Sequence, residues 1–226
     1  TGLGAMLGAA SARLLLRGKL AVDPALERLR DITLLIGPGA LLPAAVSGII
    51  GPAAICLAGH APWSSYGSLA LNWTMGDAMG VVLLSPFVLT WLHASRTRQA
   101  LRGAVDLGVI TIALALVCLL AFSDIRPSEL PPEAPAFLAF PLIVWMALRS
   151  APHAVASAVL AVAAMAAWGT AAGHGPFAPQ SGTPAPLLLD GFVLSIALCG
   201  HTLAAVSAEL RRSLGALGAS DQRFRS

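Results

Sequence analysis

Between Asn72 and Trp91 the chain reads NWTMGDAMGVVLLSPFVLTW, a mostly apolar stretch with one acid, Asp77, near its middle. Such a run is about twenty residues long, enough to cross the hydrocarbon of a bilayer as a helix. A carboxylate at that depth costs about 2.5 kcal/mol or more and is kept for a reason, structural or functional.

The rest of the chain repeats the pattern. Apolar segments run over 2–16, 32–59, 68–92, 104–122, 135–149, 153–172 and 186–208, seven in all. Hydrophobic residues make up 57% and charged residues 11% of the 226, with a mean hydropathy of +0.78. A soluble domain carries about a quarter charged residues. The expected fold class is therefore all-α, a polytopic transmembrane bundle of about seven spans. The runs are continuous rather than alternating, which excludes a closed β-barrel. The second segment holds Pro38, Pro43 and Pro52 among Gly37, Gly39, Gly48 and Gly51, which predicts a kinked or interrupted helix. The fifth is short and is expected to be little tilted or partly re-entrant.

Charge placement gives the topology. Arg13, Arg17, Lys19, Arg28, Arg30, Arg96, Arg98, Arg102, Arg149, Arg211, Arg212, Arg223 and Arg225 fall on one side of seven alternating spans, thirteen of the 14 basic residues; Arg126 alone falls on the other. By the positive-inside rule those thirteen face the cytoplasm. The start of the chain then lies outside and its end inside. Because the sequence opens at Thr1 within an apolar run and without an initiating Met, it is expected to be the N-terminally incomplete piece of a longer protein.

The loops on the outer side, residues 60–68, 123–135 and 173–186, are short and rich in Pro, Ser and Gly, so an external ligand would meet them or the bundle itself. The last stretch, Glu209 to Ser226, is polar but keeps Leu210, Leu214 and Leu217 at helical spacing. It reads as a cytoplasmic helical linker after a membrane domain covering 1–208. The net charge of +3 is too small and too dispersed for nucleic acid. Cys56, Cys118 and Cys199 lie apart in apolar runs and form no disulfide framework. No nucleophile–base set, phosphate loop or cofactor motif is visible, so neither catalysis nor a bound cofactor is expected.

Three motifs and the tail carry a resemblance. Trp73, Gly76, Asp77, Gly80 and Pro86 make a W-x-x-G-D-x-x-G…P pattern. Pro141, Leu142, Trp145, Ala147, Leu148 and Arg149 make a second, and Gly169, Thr170, Gly173, Gly175, Pro176 and Phe177 a third. With the closing DQRFRS, the chain resembles the membrane-associated sensor (MASE, first class) domains at the N-termini of bacterial sensor histidine kinases and diguanylate cyclases. A W-P-P-type motif of that family's upstream segments is absent, and Ala151 stands where Gly is usual. The resemblance implies an inner-membrane input domain that relays a small-molecule or protein signal to a C-terminal output. That output would be a kinase or a cyclic-di-GMP synthase reached through a PAS-like module. It also implies dimerisation through the output region.

The candidate sensing residues are Trp73, Gly76, Asp77, Gly80, Asp190 and His201. Asp77 lies about 12 Å into its span at 1.5 Å per residue, with Trp73 one turn outward and Gly76/Gly80 offering a surface for close helix approach. It serves either a ligand or proton or, as an interhelical anchor, the fold. Asp190 lies near the outer end of the last span, where it is either solvated by the loop or, if it faces the same cavity as Asp77, coupled to it by repulsion. His201 is either a neutral histidine bonded within the core or a proton- or metal-responsive group on the helix leading to the linker. Cys56 and His60, four apart, would share a helical face and could present both to a metal, but two ligands without further partners are too few for a metal site. The tryptophans at span ends fit an interfacial belt. The rival functions are a small transporter or channel, which shares broken helices and midplane acids, and a structural subunit of a larger membrane assembly.

Overall fold

A computed structural model describes residues 22–93, 101–125, 133–178 and 185–225. The first apolar segment, 2–16, with Arg13, Arg17, Lys19, Arg96, Arg98 and Arg126, lies outside the described residues.

Every regular element described is helical. The elements are α1 (Leu29–Ile36), α2 (Pro38–Leu57), a 3-10 turn at Trp63–Ser65, α3 (Tyr66–Leu92), α4 (Leu101–Phe122), the short α5 (Glu133–Phe137), α6 (Ala139–Arg149), α7 (Pro152–Ala171) and α8 (Ala185–Arg225). Four helical stretches are long and apolar enough to cross a membrane: Leu29–Leu57, Trp63–Leu92, Pro152–Ala171 and Leu187–Leu217. Two more, Asp106–Phe122 and Pro135–Arg149, are apolar but shorter. The protein is thus an all-α, multi-pass membrane bundle, with fewer clear spans among the described residues than the seven apolar segments of the sequence.

The second apolar segment is interrupted once, at Gly37–Pro38, rather than at each proline. Pro38 starts α2, where its missing N–H costs nothing. The kink is tight: Gly37 donates to the Thr33 carbonyl and Leu41 donates to that of Gly37, both at 2.9 Å. Pro43 and Pro52 sit inside α2 without ending it. The Tyr66 hydroxyl donates to the Ile49 carbonyl at 3.3 Å, in the turn that Pro52 loosens.

α2 and α3 form the most extensive helix pair. Its contact rests on two glycines: a methyl on Gly48 would overlap Thr74, and one on Gly51 would stand 3.0 Å from the indole of Trp73. Small residues let backbones approach where lipid supplies no hydrophobic drive. α7 is the central helix, touching α3, α4, α6 and α8. Its Val155, Val159 and Val162 are fully buried against Ile110 of α4, Ile143 of α6 and Ile196 of α8.

One end of the bundle gathers basic side chains. Arg149 pairs with Asp106 at 2.9 Å, Arg212 pairs with Glu27, and Arg211 donates to the carbonyls of Leu148 and Ser150 at 3.1 and 3.2 Å. At the opposite end Phe122, Phe177 and Phe192 cluster, with ring centroids 5.0–6.2 Å apart. Arg149, Arg211 and Arg212 therefore share one end of the bundle.

Candidate functional site

Trp73, Gly76 and Asp77 lie in the first half of α3 and Gly80 just past its midpoint, and α3 has no fully buried residue before Val82. Trp73 is half-buried against Gly51. Asp77, one turn on, is exposed, and no hydrogen bond or ion pair engages its carboxylate among the described residues. A methyl added to Gly76 or Gly80 would meet nothing within 4 Å. The glycine face that the spacing suggests for close approach does exist, but no described helix occupies it. Leu71, Leu84 and Val88 extend the same exposure along α3, at 61%, 53% and 47%.

Asp190 and His201 lie on α8 and are not brought to this face. Asp190 is half-buried, two residues before Phe192 of the aromatic cluster. His201 is 3% exposed, and its Nε2 has no hydrogen-bond partner among the described residues. It follows Gly200, where a methyl would lie 2.9 Å from Ile143 and Val159, so α8 is pressed closely onto α6 and α7 at this level. No described hydrogen bond or ion pair links Asp77, Asp190 and His201 to one another. Cys56 and His60 do not share a helical face, because α2 ends at Leu57 and Gly59 turns the chain with φ +75°. Among the described residues no group of three His, Cys, Asp or Glu side chains is placed to hold a metal.

The structure adds a latch between α1 and α8 that the sequence did not single out. Asp31, in the first turn of α1, is 1% exposed; its Oδ1 accepts the Asp23 N–H at 3.2 Å and its Oδ2 has no partner. Asp23 in turn accepts from Ala25 N–H at 3.0 Å. The resulting turn carries Leu26 at φ +51° and buries it with Ile32, Leu35 and Ala205. A leucine in the left-handed region is uncommon and stays there only when its surroundings hold it. Here α8 contributes to that hold: Arg212 pairs with Glu27, and Glu209 accepts the Leu29 N–H at 3.3 Å. The acid at the head of an apolar run was the visible signal for Asp31. The pairing of Glu27 and Leu29 with Arg212 and Glu209, some 180 positions away, was not visible.

The MASE1 family model matches residues 2–211, nearly the whole chain. No curated protein and no solved structure matches it.

Proposed function

We propose that this chain, which belongs to the MASE1 family of integral-membrane sensor domains, passes its signal to a cytoplasmic output through α8. A MASE1 domain is a non-catalytic input module. The finer reading is a bacterial inner-membrane domain of seven spans over 1–208, followed by a helical linker over 209–226. The start of the chain would lie outside and its end in the cytoplasm, as the basic residues at one end of the bundle support.

The observation that carries this reading is the continuity of α8. It runs unbroken for 41 residues from Ala185 to Arg225, about 60 Å at 1.5 Å per residue. That is about twice the thickness of a bilayer core. One rigid element therefore touches the aromatic end, the packed middle and the α1 latch before it leaves the bundle. A shift of α8 is resisted at the latch by its contacts with Glu27 and Leu29 and has no flexible joint in which to dissipate. A ligand that favours one of two α8 positions by a few kcal/mol would shift their populations accordingly.

At the latch and beyond it Leu210, Leu214 and Leu217 are exposed at 59%, 60% and 68%. Their four-and-three spacing suits a coiled-coil seam and supports a homodimer formed along the linker. The input reaches either the open α3 face at Asp77 or the outer loops, as a small molecule or as a partner membrane protein. The output is a kinase or a diguanylate cyclase.

The test is a register series in the full-length protein, inserting one to seven residues after Leu217 and measuring output with and without stimulus. Output should swing with short insertions and return near seven, the heptad repeat. Output indifferent to register would refute mechanical coupling through α8. Solute flux in liposomes, abolished by Asp77→Asn, would establish a transporter instead.

A further inference from the structure

His201, Ala205 and Glu209 stand four apart on α8 and so follow one another along one stripe of the helix. Two of the three touch α1. Glu209 accepts the Leu29 N–H at 3.3 Å, and Ala205 is buried with Leu26, Ile32 and Leu35. Arg212, next along α8, pairs with Glu27 just before α1. The two helices therefore run antiparallel, with Glu209 level with Leu29 and Arg212 with Glu27. Each four residues back along α8 correspond to four forward along α1, about 6 Å. His201 then comes level with the Gly37–Pro38 break, about 12 Å further into the bundle than Leu29.

A donor and an acceptor stand unjoined at that level. Pro38 has no N–H, so the Leu34 carbonyl loses the donor that a continuous helix would give it. Gly37 donates to Thr33 instead, at 2.9 Å, and no described side chain reaches Leu34. Across from it His201 is buried, and its Nε2 has no partner. A neutral imidazole can donate through Nε2. The break is confined to one residue: Gly37, at ψ −102°, leaves helical geometry between α1 and α2. Before it α1 packs on α8; after it α2 packs chiefly on α3.

We propose that His201 is a positioning residue that catches this break: in a second position of α8 its Nε2–H donates to the Leu34 carbonyl. The inference rests on the coupling through α8 proposed above and names what holds the second position. In the described position both groups are unpaired, so the hydrogen bond favours the second position alone. A difference between two states is what shifts their populations. One hydrogen bond corresponds to about a five-fold change. The catch also links α8 to the start of α2, the partner of α3.

The test is the output of the full-length protein without stimulus, with thermal unfolding in nanodiscs to show that each variant is folded. His201→Met removes the donor, and Pro38→Ala gives the Leu34 carbonyl a backbone N–H of its own. Each should move output in the same direction by about five-fold. The double variant should move it no further than either alone. His201→Gln, whose amide can donate in place of Nε2, should keep output near that of the parent. If Pro38→Ala does not fold, the contrast between His201→Met and His201→Gln decides. Unchanged output in His201→Met, additive effects, or equal effects of His201→Met and His201→Gln overturn the catch. Non-additivity with Pro86→Ala in place of Pro38→Ala also overturns it, because the acceptor would then be Val82 of α3. Where the insertion series after Leu217 shows output following register, such a failure removes the catch alone. Output indifferent to register refutes the α8 reading and the catch with it.

Discussion

A methyl on Gly169 of α7 would stand 2.8 Å from Cβ of Phe122 and closer still to its carbonyl oxygen. Helices α4 and α7 meet there with no room for a side chain, and the obstacle is backbone, which cannot swing aside. Gly76 and Gly80 on α3 are the opposite case, with open space where a methyl would go.

The contrast gives the first prediction. Gly169→Ala should destabilise the bundle by about 1–3 kcal/mol, the usual cost of overpacking. Gly76→Ala and Gly80→Ala should leave the isolated protein unchanged or raise its stability by up to about 1 kcal/mol through helix propensity. Thermal unfolding in nanodiscs measures all three. A large loss at Gly76 or Gly80 would mean that another helix packs on that face.

A second prediction concerns the latch. The Glu27 and Arg212 side chains are about one-third and one-half exposed, so their ion pair is partly screened. Double-mutant cycles on exposed pairs give about 0.2–1 kcal/mol. Glu27→Gln and Arg212→Gln should therefore each cost little, and the double variant should cost less than their sum. Strict additivity in a thermal-unfolding cycle would show that the pair contributes nothing.

The fold class was legible because hydrocarbon demands helices whose apolar runs are long and continuous, and the runs at 68–92 and 153–172 match α3 and α7 within two residues. The prolines of the second run were less informative. Pro43 and Pro52 loosen a helix that packing on α3 holds together, and only Gly37–Pro38 breaks it. The Trp73–Gly80 motif was visible as a pattern, but whether Asp77 faced the core or away from it depended on which side of α3 the glycines of α2 would claim. Those glycines, Gly48 and Gly51, take Trp73 and Thr74 and leave Asp77 outside. The α1–α8 latch was illegible for another reason: it joins residues far apart in sequence through local turn geometry at Asp23 and Leu26 that no periodicity encodes.

Asp77 is exposed on a helix that reads as a membrane span. If its role lies at this face rather than in the bundle, removing the charge should help the isolated protein. Replacing a mid-span carboxylate by an apolar residue relieves about 2.5–3.5 kcal/mol on insertion-based scales. Asp77→Leu should therefore raise the unfolding temperature in nanodiscs while abolishing the stimulus response of the full-length protein. A lower unfolding temperature would reassign Asp77 to holding helices together.

His201 supplies the last prediction. It is 3% exposed, its Nε2 has no partner among the described residues, and Gly200 beside it is already in close contact with Ile143 and Val159. A buried polar atom without a partner carries a desolvation penalty of about 1–3 kcal/mol, so its persistence in α8 is not a matter of stability. His201→Met replaces the ring by a flexible apolar chain that adapts to irregular gaps. The variant should unfold at the same temperature as the parent or a higher one, and its response to stimulus should be reduced if α8 carries the signal. His201→Gln, which keeps a polar group without an imidazole's protonation, should be less stable than His201→Met. A clear stability loss in His201→Met but not in His201→Gln would show instead that the side chain is hydrogen-bonded within the core, and would remove it from the signalling residues.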